Sequence, residues 1–318
     1  MPVVEIPKEK WGGKIREVTL GATPATGGTR TKTVTVGGET TLPFLHFEGE
    51  IPHPPVIAIE IQDRRPDHWP AVLTQPWDKV MDDVAAWAKA AEEYGADIIL
   101  LQFGLHDNLN PAYARQILRK VLNATGLPLL VFGPGQVEVD NEILIHIAEE
   151  GKGENLVLGM CEDKNYRTVV AAALAHGHLV NARTPMDVNL AKQLNILISD
   201  MGLPLERILM DPTTGALGYG MEYGYSVMER LRLTGLQGDS MTQQPMLVTP
   251  GEESWRSKEA RTGDGVPPAW GDWAERAINW EILTASTLIE SGADIVVLRH
   301  PEAVKRVRAM IQALMSEN

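Results

Sequence analysis

Short apolar runs recur along most of the chain from Val56 onward, each separated from the next by a polar break and a longer amphipathic segment. The runs are nearly continuously apolar instead of alternating, which is typical of parallel strands that are covered on both faces. Eight of them predict strands: VIAIEIQ from residue 56, DIILLQF from 97, PLLVFG from 128, NLVLGMC from 155, HLVNAR from 178, RILMD from 207, PMLVTP from 245 and DIVVLRH from 294.

The segments between these runs have helical spacing. DKVMDDVAAWAKAAEEYG places Val80, Val84 and Trp87 on one face, and PAYARQILRKVLNATG begins with a proline and stops at a glycine, as helix ends often do. Eight alternations of strand and helix predict an α/β fold with a parallel sheet, which closes into a (β/α)8 TIM barrel. The alternative is an open doubly wound sheet, but no G-x-G-x-x-G follows the first strand.

The sequence before residue 56 has a different pattern of apolar and polar residues. TRTKTVTVGGETTLPF alternates and contains Gly37 and Gly38, which predicts a β-hairpin turning at this glycine pair. We expect the hairpin to cover one mouth of the barrel. The predicted organisation is an N-terminal extension over residues 1–55 and a single TIM-barrel domain over 56–318.

Composition narrows the function classes. No apolar run reaches the roughly 18 residues that span a bilayer, and the first residues lack an apolar signal core, which favours a soluble cytoplasmic protein. The net charge of −13 argues against nucleic-acid binding. Cys161 is the single cysteine of the chain, whereas an iron–sulfur cluster or an all-cysteine zinc site needs about four.

In such barrels the sites lie at the carboxyl ends of the strands. The side chains expected there are mainly amides, hydroxyls and carboxylates, and they include Gln62, Asp63, Gln102, Glu162, Asn181, Arg183, Asp211, Thr249, Arg299 and His300. A Schiff-base aldolase would need a lysine on a strand, but Lys164 lies past one. A metal hydrolase would need more histidines than His300, and a lone Cys161 at a buried strand end is more often a packing residue than a nucleophile.

Two segments depart from the helix–strand pattern. RILMDPTTGALGYGMEYGYS has four glycines within ten residues after its strand, which favours a loop that lets a ligand or a partner approach the backbone closely. The alternative is a loop in which the glycines serve only the geometry of the turn. Residues 249–273 show no helical or strand period over more than twenty residues, and their three tryptophans suggest a surface that a partner covers.

Several motifs resemble one known family. MDPTTGALGYGMEYGYSVMERLRL, IAIEIQD, LLQFG, VFGPGQVEVDNEIL, ENLVLGMCEDKNYRTV and DIVVLRHPEAV resemble the small (delta) subunit of the corrinoid iron–sulfur protein, which belongs to the acetyl-CoA decarbonylase/synthase system. The resemblance runs along nearly the whole chain. It implies a barrel similar to the methyltetrahydrofolate methyltransferases and a non-catalytic role in a heterodimer.

The resemblance also implies the partners and the cofactors. The large (gamma) subunit would carry a [4Fe–4S] cluster and the main corrinoid-binding domain, so that the cobalt-containing corrinoid lies between that domain and the mouth of this barrel. The complex would carry a methyl group from methyltetrahydrofolate, through its methyltransferase, to acetyl-CoA synthase in the reductive acetyl-CoA (Wood–Ljungdahl) pathway of carbon fixation. On this interpretation the residues near the corrinoid are Thr213, Thr214, Gly215, Tyr219, Asn181, Arg183 and His300.

Two other functions remain open from the residues alone. A stand-alone pterin-dependent methyltransferase on the same barrel would hold its pterin with Asp63, Asn181 and Asp211. A barrel enzyme of another kind, such as an aldolase or a lyase, would turn over substrate without a partner.

Overall fold

Eight parallel strands close into a barrel in the computed structural model, which describes residues 6–316. Each strand pairs with the next one along the chain, and the last pairs with the first of the barrel, so the predicted (β/α)8 TIM barrel is confirmed. The barrel strands are β3 (Val56–Gln62), β4 (Ile98–Gln102), β5 (Leu129–Phe132), β6 (Val157–Cys161), β7 (Leu179–Arg183), β8 (Ile208–Asp211), β9 (Met246–Val248) and β10 (Ala293–Leu298).

Helices surround this barrel. They are α1 (Ala71–Thr74), α2 (Val84–Glu93), α3 (Pro111–Ala124), α4 (Val137–Glu150), α5 (Tyr166–His176), α6 (Val188–Asp200), α7 (Met221–Leu236), α8 (Pro250–Arg256), α9 (Lys258–Arg261), α10 (Trp273–Glu290) and α11 (Pro301–Met315). Within the described residues, none of them has the length and apolar character needed to cross a membrane.

Local capping sets where several helices begin. Asn110 accepts a hydrogen bond from the Tyr113 N–H at 3.0 Å, and Pro111 occupies the first position of α3, where its missing N–H costs nothing. The helix predicted from residue 78 starts later, at Val84, because Asp83 caps it by accepting from the Ala85 N–H at 3.1 Å.

The N-terminal extension contains the predicted two-stranded antiparallel sheet, but with a different turn. Strands β1 (Val18–Leu20) and β2 (Val34–Val36) pair with Val18 opposite Val36, and residues 21–33 connect them. The expected turn at Gly37 and Gly38 is therefore wrong, because these glycines follow β2 instead of joining the two strands. Both have positive φ, of 86° and 91°, and so take the chain away from β2.

This small sheet covers the amino-terminal mouth of the barrel. The inward side chains of β1 and β2 form one apolar cluster with the barrel interior. Gly21 packs against Pro128 and Gly37 against Pro245, and these prolines directly precede β5 and β9. The expectation that the extension covers one mouth is confirmed, and the opposite mouth, where the strands end, is left for the site.

The segment 249–273 is more ordered than expected. It contains α8 and α9, where the sequence suggested neither helix nor strand. Trp255 is only 3% exposed, and Trp270 and Trp273 are half-buried. These rings pack at least partly against the chain's own helices, and the Trp273 ring nitrogen donates to the Ala260 carbonyl at 2.8 Å. Coverage of this segment by a partner stays a prediction.

Candidate functional site

The barrel interior changes from apolar to polar towards the carboxyl ends of the strands. Alternate residues of a strand point to the same side, so Leu179, Asn181 and Arg183 follow one another up the inside of β7. The layer of inward side chains nearest the carboxyl ends of the strands also contains Glu60, Gln62, Gln102, Asp211, Thr249 and Arg299, most of which are buried. The mouth therefore has a polar floor above an apolar core.

A buried ion pair crosses this floor. The Arg299 guanidinium donates to both carboxylate oxygens of Glu60 at 2.7 Å, and the Gln62 amide donates to Glu60 at 3.0 Å. The Trp77 indole N–H also donates a hydrogen bond to the Arg299 backbone carbonyl at 2.9 Å. Sequence reasoning did not select Glu60, although a single acid inside the apolar run VIAIEIQ was a usable signal.

Asp211 organises the end of β8. It is 1% exposed, and it accepts hydrogen bonds from the Asn181 amide at 3.1 Å and from the Thr213 N–H at 3.0 Å. Burial raises the pKa of Asp211 above its usual value, while Arg183 on the neighbouring strand opposes that rise. Asn181 is fully buried, and its carbonyl oxygen has no hydrogen-bond partner among the described residues.

The two threonines after β8 have different environments. Thr213 is half-buried with a φ of 62°, an unusual value for a threonine, and its hydroxyl donates to the Thr184 carbonyl at 2.6 Å. Thr214 is 4% exposed, and its hydroxyl accepts from the Thr249 N–H at 2.8 Å. Thr213 therefore lies at the surface of the mouth, and Thr214 lies below it.

The glycines of this loop mainly serve its own geometry. A Cβ on Gly215 would come within 2.5 Å of the Gly220 carbonyl oxygen, so the chain itself occupies that space. Gly218 and Gly220 have φ of 76° and 94°, in the left-handed region that favours glycine. At these three positions a close backbone contact or a left-handed φ already accounts for the glycine, as the alternative of a tight loop predicts. The approach of a ligand to this loop stays a prediction.

Tyr219 stands at the rim of the mouth. It is 53% exposed, and its hydroxyl donates to Glu259 of α9 at 2.9 Å. This hydrogen bond to a carboxylate raises the pKa of Tyr219. The contact joins the loop after β8 to the α8–α9 segment.

Arg183 lies half-buried at the end of β7, beside a pocket of about 760 Å³. Its guanidinium contacts the Met160 sulfur. Although burial opposes its charge, Asp211, Glu252 and other acids nearby raise the pKa of Arg183. Thr213 lines the same pocket, so the structure brings these two of the expected site residues together.

His300 is buried at the start of α11, where it caps the helix. Its Nδ1 accepts from the Glu302 N–H at 3.1 Å, and its ring stacks on Trp255 with centroids 5.9 Å apart. Burial lowers the pKa of His300 to about 4, so the ring is neutral near pH 7. Only 6% of the surface of His300 is exposed, so this residue packs beneath the surface of the mouth and stabilises it there.

A buried carboxylate on α10 connects this region to α8. Glu281 is 0% exposed and accepts from the Arg299 N–H at 2.6 Å, the His300 N–H at 3.3 Å and the Trp255 indole at 2.8 Å. Burial raises the pKa of Glu281 to about 7. Sequence reasoning missed this residue, because its partners are far away along the chain.

Other candidates from the sequence occupy structural positions. Asp63 accepts from the Gly104 N–H at 2.8 Å, from His106 at 2.9 Å and from the Tyr113 hydroxyl at 3.0 Å. Cys161 is 0% exposed, and burial raises its thiol pKa. Between residues 6 and 316, no group of three or more His, Cys, Asp and Glu side chains has an arrangement that could hold a metal ion.

Comparison with known proteins shows the family. The family model described as CO dehydrogenase/acetyl-CoA synthase delta subunit matches residues 17–313, and this chain belongs to that family. A relative from Archaeoglobus fulgidus, named acetyl-CoA decarbonylase/synthase complex subunit delta, is 39% identical over 96% of this chain and 70% of its own length. A relative of the same name from Methanopyrus kandleri is 36% identical over 93% of this chain and 74% of its own length.

Solved structures with the same fold include dihydropteroate synthases. The enzyme from Xanthomonas albilineans aligns with a TM-score of 0.58 at 14% identity, over 85% of this chain and 97% of that one. The enzyme from Thermus thermophilus aligns with a TM-score of 0.56 at 17% identity, over 87% of this chain and 100% of that one. At these identities the likeness concerns the fold alone, and the family match does not favour the stand-alone pterin methyltransferase.

Proposed function

We propose that this chain is the small subunit of a heterodimeric corrinoid iron–sulfur protein, in which it helps to hold and cap a methyl-carrying corrinoid. The observation that carries the proposal is the delta-subunit family match along residues 17–313. The partners are the large (gamma) subunit, the methyltransferase that delivers the methyl group from methyltetrahydrofolate, and acetyl-CoA synthase, which receives it.

The donor set of the mouth fits a neutral macrocycle with amide arms. Arg183 and Thr213 line the pocket beside the mouth, and Tyr219 projects at its rim. Hydroxyl and guanidinium groups can donate to the amide carbonyls that edge a corrinoid. When bound, the corrinoid supplies the cobalt that carries the methyl group, and the protein supplies its position and surroundings.

The expected site residues then divide into two groups. Arg183, Thr213 and Tyr219 contact the corrinoid, because they are the half-buried or exposed members of the set. Buried members keep the mouth in shape from below, namely Thr214, Gly215, Asn181 and His300. In this proposal the chain has no catalytic residue of its own.

The remaining parts of the proposal concern the cluster, the domains and the compartment. The [4Fe–4S] cluster belongs to the large subunit, since this chain has one cysteine and its side chain is buried. Residues 1–55 form the extension and residues 56–318 the barrel domain. A single cysteine suits the reducing cytoplasm.

Anaerobic co-purification tests this function. The chain and the large subunit are co-expressed, purified through a tag on this chain, and assayed for cobalt, iron and the visible spectrum. We expect a two-chain complex with about one cobalt and about four irons. A colourless chain that purifies alone would contradict the proposal. Micromolar binding of methyltetrahydrofolate to the isolated chain would instead support the pterin-dependent methyltransferase.

A further inference from the structure

A side pocket opens next to the mouth, between α6 and the ends of β6, β7 and β8. It measures about 760 Å³. One wall is polar and is formed by Arg183, Thr184 and Thr213. The facing wall is α6, which contributes the apolar side chains of Leu190, Leu194 and Leu197. The pocket therefore suits a short apolar stem with a polar end, entering beside the barrel axis.

The polar wall has hydrogen-bond donors to spare. The Arg183 guanidinium carries five N–H donors, and within residues 6–316 its one hydrogen-bond contact is with the Met160 sulfur. Across the same part of the chain, no carboxylate lies within 4.0 Å of this guanidinium, in contrast to the buried Arg299 with its two bonds to Glu60. A half-buried guanidinium in this state is ready to donate to a ligand acceptor.

The surrounding charge decides between an anionic and a neutral ligand. Asp211, Glu252, Glu162 and Glu253 act on Arg183 from beyond hydrogen-bond distance and raise its pKa. The guanidinium thus lacks hydrogen-bond acceptors, but its charge is already compensated. Of these four acids, Glu162 lines the pocket itself, together with Asp163 and the basic Lys164. Acidic groups therefore outnumber the two cations, Arg183 and Lys164, around an entering carboxylate or phosphate, whereas a neutral carbonyl is not repelled.

We propose that the side pocket is a subsite for a neutral primary amide on a short apolar stem. The amide oxygen accepts from the Arg183 guanidinium, the amide N–H₂ donates to the Glu162 carboxylate at the edge of the pocket, and the stem packs on the leucines of α6. The natural ligand is an amide-terminated arm of the corrinoid, and only this identity rests on the proposed function.

Binding to the isolated chain tests the subsite by itself. Butyramide and butyrate have nearly the same shape and differ in charge, and the leucine methyl groups of α6 report binding by NMR. We expect butyramide to shift the methyl signals of Leu190, Leu194 and Leu197 with a roughly millimolar Kd, as suits a ligand of six heavy atoms. We expect butyrate to bind at least about fivefold more weakly, because of the nearby acids.

Two matched variants locate the donor. Arg183→Gln removes the guanidinium and should weaken butyramide binding about tenfold. Arg167→Gln makes the same change at an exposed arginine on α5 and should have no effect. Equal affinity for butyrate and butyramide, absence of leucine shifts, or unchanged binding by Arg183→Gln would each overturn the inference.

The complex provides an independent measurement. If the amide belongs to the corrinoid, the complex containing Arg183→Gln should lose cobalt faster on gel filtration than the complex containing Arg167→Gln. Amide binding by the isolated chain with equal cobalt retention in both complexes would leave the subsite intact and remove the corrinoid as its ligand. Co-purification of cobalt without any amide binding would overturn the subsite and leave the proposed function standing.

Discussion

Replacing Glu281 by glutamine tests whether the carboxylate between α10, α8 and β10 is held protonated by burial. Its pKa lies at about 7 in the folded protein, against 4.5 for the free side chain. A raised carboxyl pKa means that the folded state binds the proton more tightly than the unfolded state. The stability that this proton provides is complete below pH 4.5 and is lost as the pH rises through about 7.

The size of the effect follows from these two values. A tenfold change in proton affinity is worth about 1.4 kcal/mol, so the whole difference amounts to roughly 3 kcal/mol. Because part of the unfolded-state titration lies below pH 5, roughly 2 to 3 kcal/mol should be lost between pH 5 and pH 8. Glu281 is 0% exposed, so solvent does not screen this effect.

Urea denaturation at pH 5, 6, 7 and 8 measures the effect. Glutamine does not titrate, so the free energy of unfolding of Glu281→Gln minus that of the wild type should rise by roughly 2 to 3 kcal/mol from pH 5 to pH 8. Taking this difference cancels the other titrating groups. Glu290→Gln, at the exposed end of the same helix, should give a constant difference. Parallel profiles for Glu281→Gln and the wild type would refute the reasoning.

Two further predictions concern the barrel floor and the cysteine. Glu60→Gln leaves the Arg299 guanidinium buried without its charge partner and should lower the free energy of unfolding by about 3 kcal/mol, which lowers the urea midpoint. The control Arg65→Gln removes a side chain from exposed ion pairs and should leave the urea midpoint unchanged. Equal midpoints for the two variants would contradict this prediction. Cys161 should not react with a thiol reagent such as DTNB in the native protein, and it should yield one equivalent of thiol after denaturation; rapid native labelling would show that the thiol is accessible.

The glycine-rich loop shows where sequence reasoning reaches its limit. Four glycines in ten residues identify a special loop, but glycine is selected equally by a close ligand, a positive φ and a close backbone contact. Only the folded chain shows that Gly215 faces the Gly220 carbonyl and that Gly218 and Gly220 have left-handed φ. The segment around Trp255 is similar, since α8 is held by Glu281 from a distant helix and its own sequence has no clear period.

The sequence by itself determined the alternation of strands and helices, the barrel and the family, because apolar periodicity and motifs are local and survive without knowledge of contacts. The cysteine count also shows that this chain alone has too few thiolates to hold an iron–sulfur cluster. Only the tertiary structure shows which polar side chains have hydrogen-bond or ion-pair partners. Arg183 ends β7 and Arg299 directly follows β10, yet the Arg299 guanidinium is paired with Glu60 and that of Arg183 has N–H donors without acceptors. That difference depends on side chains brought together from far along the chain, and no local pattern encodes it.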